Sequence, residues 1–385
     1  MKRLAHYLLL VVLMVLTVLS LDRAKAQGIP RPDEVLSLIR KVNDYWQTNN
    51  RPEVRAFWDN AAYHTGNMAA YQVTHEQRYL DYSLAWSNHN NWMGAKGQDS
   101  SKWKYTYGET EDFVLFGDWQ ACFQTYIDLY SIDPQPYKIK RVKEVIDYQI
   151  ATKRKDYWWW ADGLYMVMPV FTKLYRLTGD KKYIQKLEEY FNYADSAMYN
   201  AASGLYFRDS KYVYPAHKSV NGKKDFWARG NGWAFAALAK VLQDIPETDL
   251  SRQIFLKRYI SMAKALKQCQ QTDGYWTRSL LDAAHAPGPE TSGTAFFVYG
   301  YLWGINHGIL KKKTYSETAL KAWHYLNNTA LQADGRLGYV QPIGEKAIPG
   351  QVVNAGSTAN FGVGAFLLGA AEMYRYSQDN ITPSK

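Results

Sequence analysis

The feature that most constrains this 385-residue chain is an alternation of two kinds of helical segment. Apolar stretches rich in small residues recur at Thr65–Val73, Trp119–Tyr130, Leu164–Leu177, Trp233–Leu242, Thr294–Leu310 and Gly362–Tyr376. Other segments carry apolar residues at i, i+3, i+4 and i+7: Val35–Gln47, Tyr137–Thr152, Tyr183–Met198, Arg252–Gln271 and Tyr315–Leu326. A helix covered on all sides can use Gly and Ala for close packing, whereas an outer helix must show a polar face to water. The two kinds therefore pair into helical hairpins. A bridge recurs as well: Thr74-His-Glu-Gln-Arg-Tyr79 and Thr178-Gly-Asp-Lys-Lys-Tyr183 occupy the same place in their units, with Asp133-Pro-Gln-Pro-Tyr137 a looser copy. Six hairpins fit the length, and closing them into a ring gives an all-α (α/α)6 toroid whose inner-helix ends and loops form one mouth. A superhelical solenoid of the same hairpins is the competing architecture, but it needs polar end caps, and the glycine-rich last helix is apolar. Strand-like alternation is confined to Gly204–Arg208 and Gly338–Gln341, and no Pro/Gly/Ser linker divides the chain.

The first residues read as an export signal. Lys2 and Arg3 precede an apolar run, Tyr7 to Leu21, and Ala24-Lys25-Ala26 supplies a small-x-small cleavage site. Residues 1–26 are thus expected to be removed, leaving a single domain over 27–385. No Cys follows Ala26 for lipid attachment, so the protein is expected to be exported, periplasmic rather than membrane-held, and monomeric or weakly self-associating. The formal charge of +10 falls to near +7 once Lys2, Arg3, Arg23 and Lys25 leave with Asp22. That balance suits an anionic polysaccharide. No nucleic-acid motif accompanies it. Cys122 and Cys269 lie in helical, partly apolar contexts and read as free buried thiols, although export permits a disulfide.

The chemistry-bearing residues cluster where loops enter the small-residue helices. Asp162 follows Trp158, Trp159 and Trp160 at such an entrance. A carboxyl group desolvated by indole rings is pushed toward a pKa useful for giving up a proton near neutrality. The same residue type at a helix start also serves as a cap. Asp118, beside Trp119, repeats the theme one hairpin earlier, and paired carboxylates are the usual equipment of sugar chemistry. Trp227-Ala-Arg229-Gly-Asn231-Gly-Trp233 offers a guanidinium fork for a carboxylate between two stacking surfaces; a glycine-rich turn with a structurally paired Arg is the alternative. Trp276, Arg278 and His217 are softer candidates for substrate contact. Glu290 reads first as a helix cap, and His64-Thr65-Gly66-Asn67 as a further loop. No metal-ligand spacing, P-loop, dinucleotide fingerprint or nucleophile elbow is present, so no cofactor and no metal are expected.

These segments resemble glycoside hydrolase family 105, the unsaturated rhamnogalacturonyl hydrolases, and more distantly the unsaturated glucuronyl hydrolases. The likeness rests on W-x-D-G-L-Y-M at Trp160–Met166, L-T-G-D at Leu177–Asp180, W-x-R-G-N-G-W at Trp227–Trp233, E-T-S-G-T-A at Glu290–Ala295 and G-x-G-A-F-L-L at Gly362–Leu368. The resemblance implies the same toroid and an anionic substrate: a lyase-generated oligosaccharide whose terminal uronic acid carries a C4–C5 double bond. It implies hydration of that bond, with Asp162 protonating C4 and then activating water for C5, and Asp118 orienting sugar or water. Trp160, Trp227, Arg229 and Trp233 would line the pocket. Between Gly204 and Phe226 the chain departs from the family pattern, with Asp209, Tyr212 and His217 in place of a histidine-bearing loop. Galacturonyl-rhamnose from pectin is the first expectation for the substrate. Glucuronyl-rhamnose from ulvan- or arabinogalactan-type glycans, and an ordinary inverting glycosidase or lyase on the same fold, are the alternatives.

Overall fold

The computed structural model describes residues 28–381, so the export signal expected over residues 1–26 lies outside the described residues. Inner and outer helices alternate along the chain. The outer helices are α1 (Pro32–Asn49), α3 (Gln77–His89), α6 (Tyr137–Ala151), α8 (Lys182–Met198), α10 (Arg252–Cys269) and α12 (Lys312–Tyr325). The inner ones are α2 (Trp58–Thr74), α5 (Phe123–Ile132) with a short preceding turn α4 (Gly117–Gln120), α7 (Ala161–Thr178), α9 (Ala228–Asp244), α11 (Thr291–Asn306) and α13 (Asn360–Ile381). Each inner helix packs on the next in chain order, and α13 packs back on α2, so the inner ring closes. Closure excludes the open solenoid. The architecture is the six-hairpin toroid.

Glycines make that closure possible. A Cβ on Gly66 of α2 would stand 2.2 Å from the Gly364 carbonyl oxygen of α13, and one on Gly364 would stand 2.2 Å from the Ala62 oxygen. The two backbones touch where any side chain would wedge them apart. Surrounding layers are dense: α11 is buried along nearly its whole length, from Thr291 to Gly304, as expected of a helix with no wet face.

The repeated bridge has a physical meaning. Thr74 and Thr178 each donate a hydroxyl hydrogen bond back to their own helix, to the Ala70 and Leu174 oxygens at 2.8 and 2.7 Å. The next residues, His75 and Gly179, take left-handed conformations (φ 55 and 70) and close the helices by donating to Tyr71 and Tyr175 oxygens. Tyr79 and Tyr183 then each donate to an aspartate of the preceding outer helix, Asp44 and Asp147, at 2.8 and 3.0 Å. The sequence echo is thus a conserved-geometry corner inside one molecule.

Three readings change. His64-Thr65-Gly66-Asn67 lies within α2 rather than in a loop, because that inner helix begins at Trp58. His64 is stacked on Trp86 with centroids 3.9 Å apart, and burial holds its pKa well below the ordinary value, so it is a neutral core ring. The helix α3, whose apolar pattern is weak, was not among the expected outer helices. Of the two strand-like pieces, Leu205–Tyr206 pairs with Tyr199–Asn200, but 338–341 forms no strand and instead hydrogen-bonds loop to loop through Tyr339 and Val340. Cys122 and Cys269 are both buried and free.

Gly66→Ala should therefore open the α2–α13 seam. Overpacking of this kind costs about 1–3 kcal/mol, and the thermal midpoint should drop by several degrees. Gly28→Ala, with nothing within 4 Å of the new methyl, should leave it unmoved.

Candidate active site

At one end of the ring the starts of α4 and α7 and the loops around 55, 108, 208 and 344 enclose a cleft of about 450 Å³. Asp118 and Asp162 both face it, as do Trp58, Trp159, Trp160 and Arg208. Each acid is the second residue of its helix, so loop aromatics precede it and the helix anchors it. Trp160 forms the floor. Its ring packs against Phe116 at 4.9 Å and Trp159 at 4.7 Å, and it fits only because Gly117 and Gly163 have no side chains: their Cβ atoms would lie 3.1 Å from the indole. Trp158 turns the other way, edge-on to Phe171 and Tyr190, and belongs to the core.

The two carboxyls are placed differently. Asp118 retains 7% of its surface, and burial, with the Asp162 charge second, pushes it well above the usual carboxylate range against the opposing Arg208 charge. Asp162 is also raised by burial, but Arg208, Arg229 and its own backbone N–H oppose the rise. Arg208 Nε stands 3.3 Å from Asp162 Oδ2, close enough for charge attraction but without hydrogen-bond alignment, since neither atom has a hydrogen-bond partner. Burial thus raises both carboxyls, Asp118 further than Asp162, where Arg208 and Arg229 oppose the rise.

Arg208 reaches this position through backbone pairing. Trp160 and Asp209 form an antiparallel bridge, and the Ala161 N–H donates to the Arg208 oxygen at 2.7 Å. Buried Asp209 accepts from Arg208 Nη1 at 2.6 Å and from the Lys211 N–H at 2.8 Å, fixing the turn. Sequence reading missed Arg208. Its only signal was its place at the end of the strand-like Gly204–Arg208 segment, because its partner is remote in the chain.

The remaining expected contacts lie elsewhere. Arg229 is buried and spends its fork on the chain itself, donating from Nη1 to the Gln341 oxygen at 2.6 Å and from Nη2 to the Pro342 oxygen at 2.9 Å. It is sandwiched by Trp227 and Phe361, and burial lowers its pKa to about 10. Trp227 donates its indole N–H to Gln341 at 2.8 Å, so both residues pin the loop that roofs the cleft. Trp233 is fully buried on Tyr165 and Phe296, and Trp276 donates to the Leu266 oxygen inside the core. His217 Nε2 lies 2.9 Å from Asp225 Oδ2, and its ring meets Tyr212 edge-on. Arg278 holds the Gln351 and Pro287 oxygens. Glu290 caps α11, accepting from the Ser292 and Gly293 N–H groups at 3.0 and 2.7 Å, as its sequence context suggested. Among the described residues no group of His, Cys, Asp and Glu is arranged to hold a metal ion.

The class defined by fold and site is a closed six-hairpin toroid with two carboxyls in an aromatic cleft at its mouth. The family model described as Glycosyl Hydrolase Family 88 matches residues 33–377, and the chain belongs to that family of glycoside hydrolases. Family 105, suggested by the motifs, appears among the structural likenesses: a possible member from Salmonella enterica serovar Paratyphi A is 19% identical with a TM-score of 0.72, over 91% of this chain and 96% of that one. That likeness bears on the fold alone. A family 88 structure from Bacteroides vulgatus is 55% identical with a TM-score of 0.89, covering 90% of this chain and all of that one (100%). A solved structure named as a polysaccharide lyase is 61% identical with a TM-score of 0.89, over 91% and 99%. An unsaturated 3S-rhamnoglycuronyl hydrolase of Alteromonas sp. (strain LOR) is 37% identical over 216 residues, 56% of this chain and about half (51%) of that protein. A protein of the same name from Formosa agariphila is 28% identical over 334 residues, 83% of this chain and 85% of that one.

The environment of Asp118 makes a stability prediction. A carboxyl raised in the folded state contributes stability below its unfolded pKa, near 3.9, and loses it as pH rises through the folded value. Asp118→Asn should therefore melt at higher temperature than the parent at pH 8, with the gain shrinking toward pH 4. An equal or lower melting temperature at pH 8 would contradict the assigned burial.

Proposed function

We propose that the protein is an unsaturated uronyl hydrolase, which removes a terminal 4,5-unsaturated uronic acid from lyase-generated oligosaccharides by hydrating the C4–C5 bond. The observation that carries this reading is the pair of buried carboxyls, Asp118 and Asp162, flanked by Trp159 and Trp160 in one cleft and differing in their cation contact. Family membership and the names of the Alteromonas and Formosa relatives support it.

In this reading Asp162 gives its proton to C4. Positive charge develops at C5, and the resulting carboxylate takes a proton from the water that adds there. The product is a hemiketal, which opens and releases the aglycone. Asp118, whose pKa burial raises well above the usual carboxylate range, donates a hydrogen bond to the sugar or the water instead of competing for that proton. An exported, periplasmic setting fits the leader read in residues 1–26.

The relatives' name specifies rhamnose next to a glycuronyl group. Galacturonate and glucuronate differ only at C4, and the double bond erases that centre. A site that reads the unsaturated ring can separate pectin-derived from ulvan- or arabinogalactan-derived substrates only by the configuration at C1 and the sugar beyond. We keep galacturonyl-rhamnose as the first substrate to test, with glucuronyl-rhamnose beside it.

The lyase name of the 61%-identical structure favours a second reading, and the two predict opposite signs. A lyase acting on intact polysaccharide creates unsaturated uronate and its ultraviolet absorbance, whereas the proposed hydrolase removes it. Incubation with unsaturated disaccharides should abolish the absorbance. Asp162→Asn should slow the loss by a factor of about 10² to 10⁴, the usual contribution of a general acid, with the melting curve intact. A rise in absorbance on intact polymer, with unsaturated disaccharides untouched, would decide for the lyase.

A further inference from the structure

We propose that Arg208, Lys211 and Tyr212 form the clamp for the substrate's uronate carboxylate, and that Glu345 of this chain fills the clamp when no sugar is bound. The inference rests on the uronyl reading above and assigns its carboxylate subsite. Glu345 Oε1 accepts from Tyr212 Oη at 2.5 Å. Its Oε2 accepts from Lys211 Nζ at 3.1 Å and from Arg208 Nη1 at 3.3 Å. An ammonium, a guanidinium and a phenol thus converge on one carboxylate at the wall of the cleft, the donor set that an anionic sugar needs.

The cations of this cleft are already engaged. Arg55 is paired with Glu109, Lys211 with Glu345, and Arg208 with Asp162, Asp209 and Glu345. An anionic substrate that takes Arg208 or Lys211 must therefore displace one of their own carboxylate partners. Asp209 is buried and held by Arg208 Nη1 and the Lys211 N–H, and Asp162 is buried within its helix start. Glu345 has 42% of its side chain exposed and follows Ile343, 66% exposed, and Gly344, where an added Cβ would meet nothing closer than the Pro342 oxygen at 3.8 Å. Arg229 and Trp227 fix the loop only at Gln341 and Pro342, just before this point. Of the carboxylates on Arg208 and Lys211, Glu345 is the replaceable one. Burial raises its pKa, but the Tyr212, Lys211 and Arg208 contacts outweigh that and leave it lowered, so it is an anion at neutral pH.

Geometry connects the clamp to the chemistry. The uronate carboxylate is bonded to C5, which shares the double bond with C4. Arg208 reaches Glu345 through Nη1 and faces Asp162 through Nε, each at 3.3 Å. A sugar carboxylate standing where Glu345 now stands brings C4 and C5 alongside Asp162. It also draws the guanidinium toward itself, which weakens the contact that holds the Asp162 proton affinity down.

The test is steady-state kinetics on an unsaturated disaccharide and on its methyl ester, in which the carboxylate is masked. If Glu345 occupies the clamp nine-tenths of the time, Glu345→Gln should lower KM for the acid about tenfold and leave KM for the ester where it was. Arg208→Gln and Lys211→Met should raise KM for the acid and erase the preference for acid over ester, with Arg208→Lys restoring part of it. A Glu345→Gln protein that melts like the parent but shows an unchanged or higher KM for the acid would overturn the proposal, as would an acid preference that survives both clamp variants. Absence of absorbance loss in the parent on either substrate would instead remove the uronyl reading, and the clamp with it.

Discussion

Everything in this fold depends on how closely the inner helices can approach. At the α2–α13 seam the backbones are in contact through Gly66 and Gly364, which closes the sixth hairpin onto the first. A closed ring gives all six inner helices a common direction and gathers their starting loops at one mouth. The second residues of α4 and α7, Asp118 and Asp162, then face the same cleft although their hairpins are separate in sequence. Without the small-residue seam there would be no shared mouth and no pair of acids.

Within that mouth, backbone pairing refines what helix position begins. The Trp160–Asp209 bridge delivers Arg208 to Asp162, and the similar Trp227–Ser279 bridge ties the next hairpin in the same manner. Glycines at 117 and 163 leave room for the Trp160 ring in the cleft that both acids line. The resulting asymmetry is electrostatic: Arg208 and Arg229 oppose the rise at Asp162, whereas Asp118 carries the Asp162 charge on top of its own burial. Such separation is how a pair of aspartates can hold one proton and give up another.

Much of this was legible in the residues. The alternation of small-residue and amphipathic helices prescribed the toroid, and the Thr74 and Thr178 bridges proved to be one corner built twice. Asp118 and Asp162 stood out because tryptophans at a loop-to-helix entrance are visible in any reading. Arg229, Trp227, Trp233 and Trp276 were visible for the same reason, yet the structure turns them to loop anchoring and core packing. A motif reports which residues matter without saying which way they face. Arg208, Lys211 and Glu345 escaped notice because their significance is purely tertiary. Each is an ordinary charged residue until the 208–212 turn and the 341–345 loop meet over the cleft.

The central claim is that the double bond, not the glycosidic oxygen, receives the proton. Real-time proton NMR of an unsaturated uronyl-rhamnose disaccharide tests it most directly by following the vinyl H4 signal together with the anomeric signal of released rhamnose. Hydration predicts that the vinyl signal disappears no later than rhamnose appears. Rhamnose released while the vinyl signal persists in a free unsaturated monosaccharide would contradict the account.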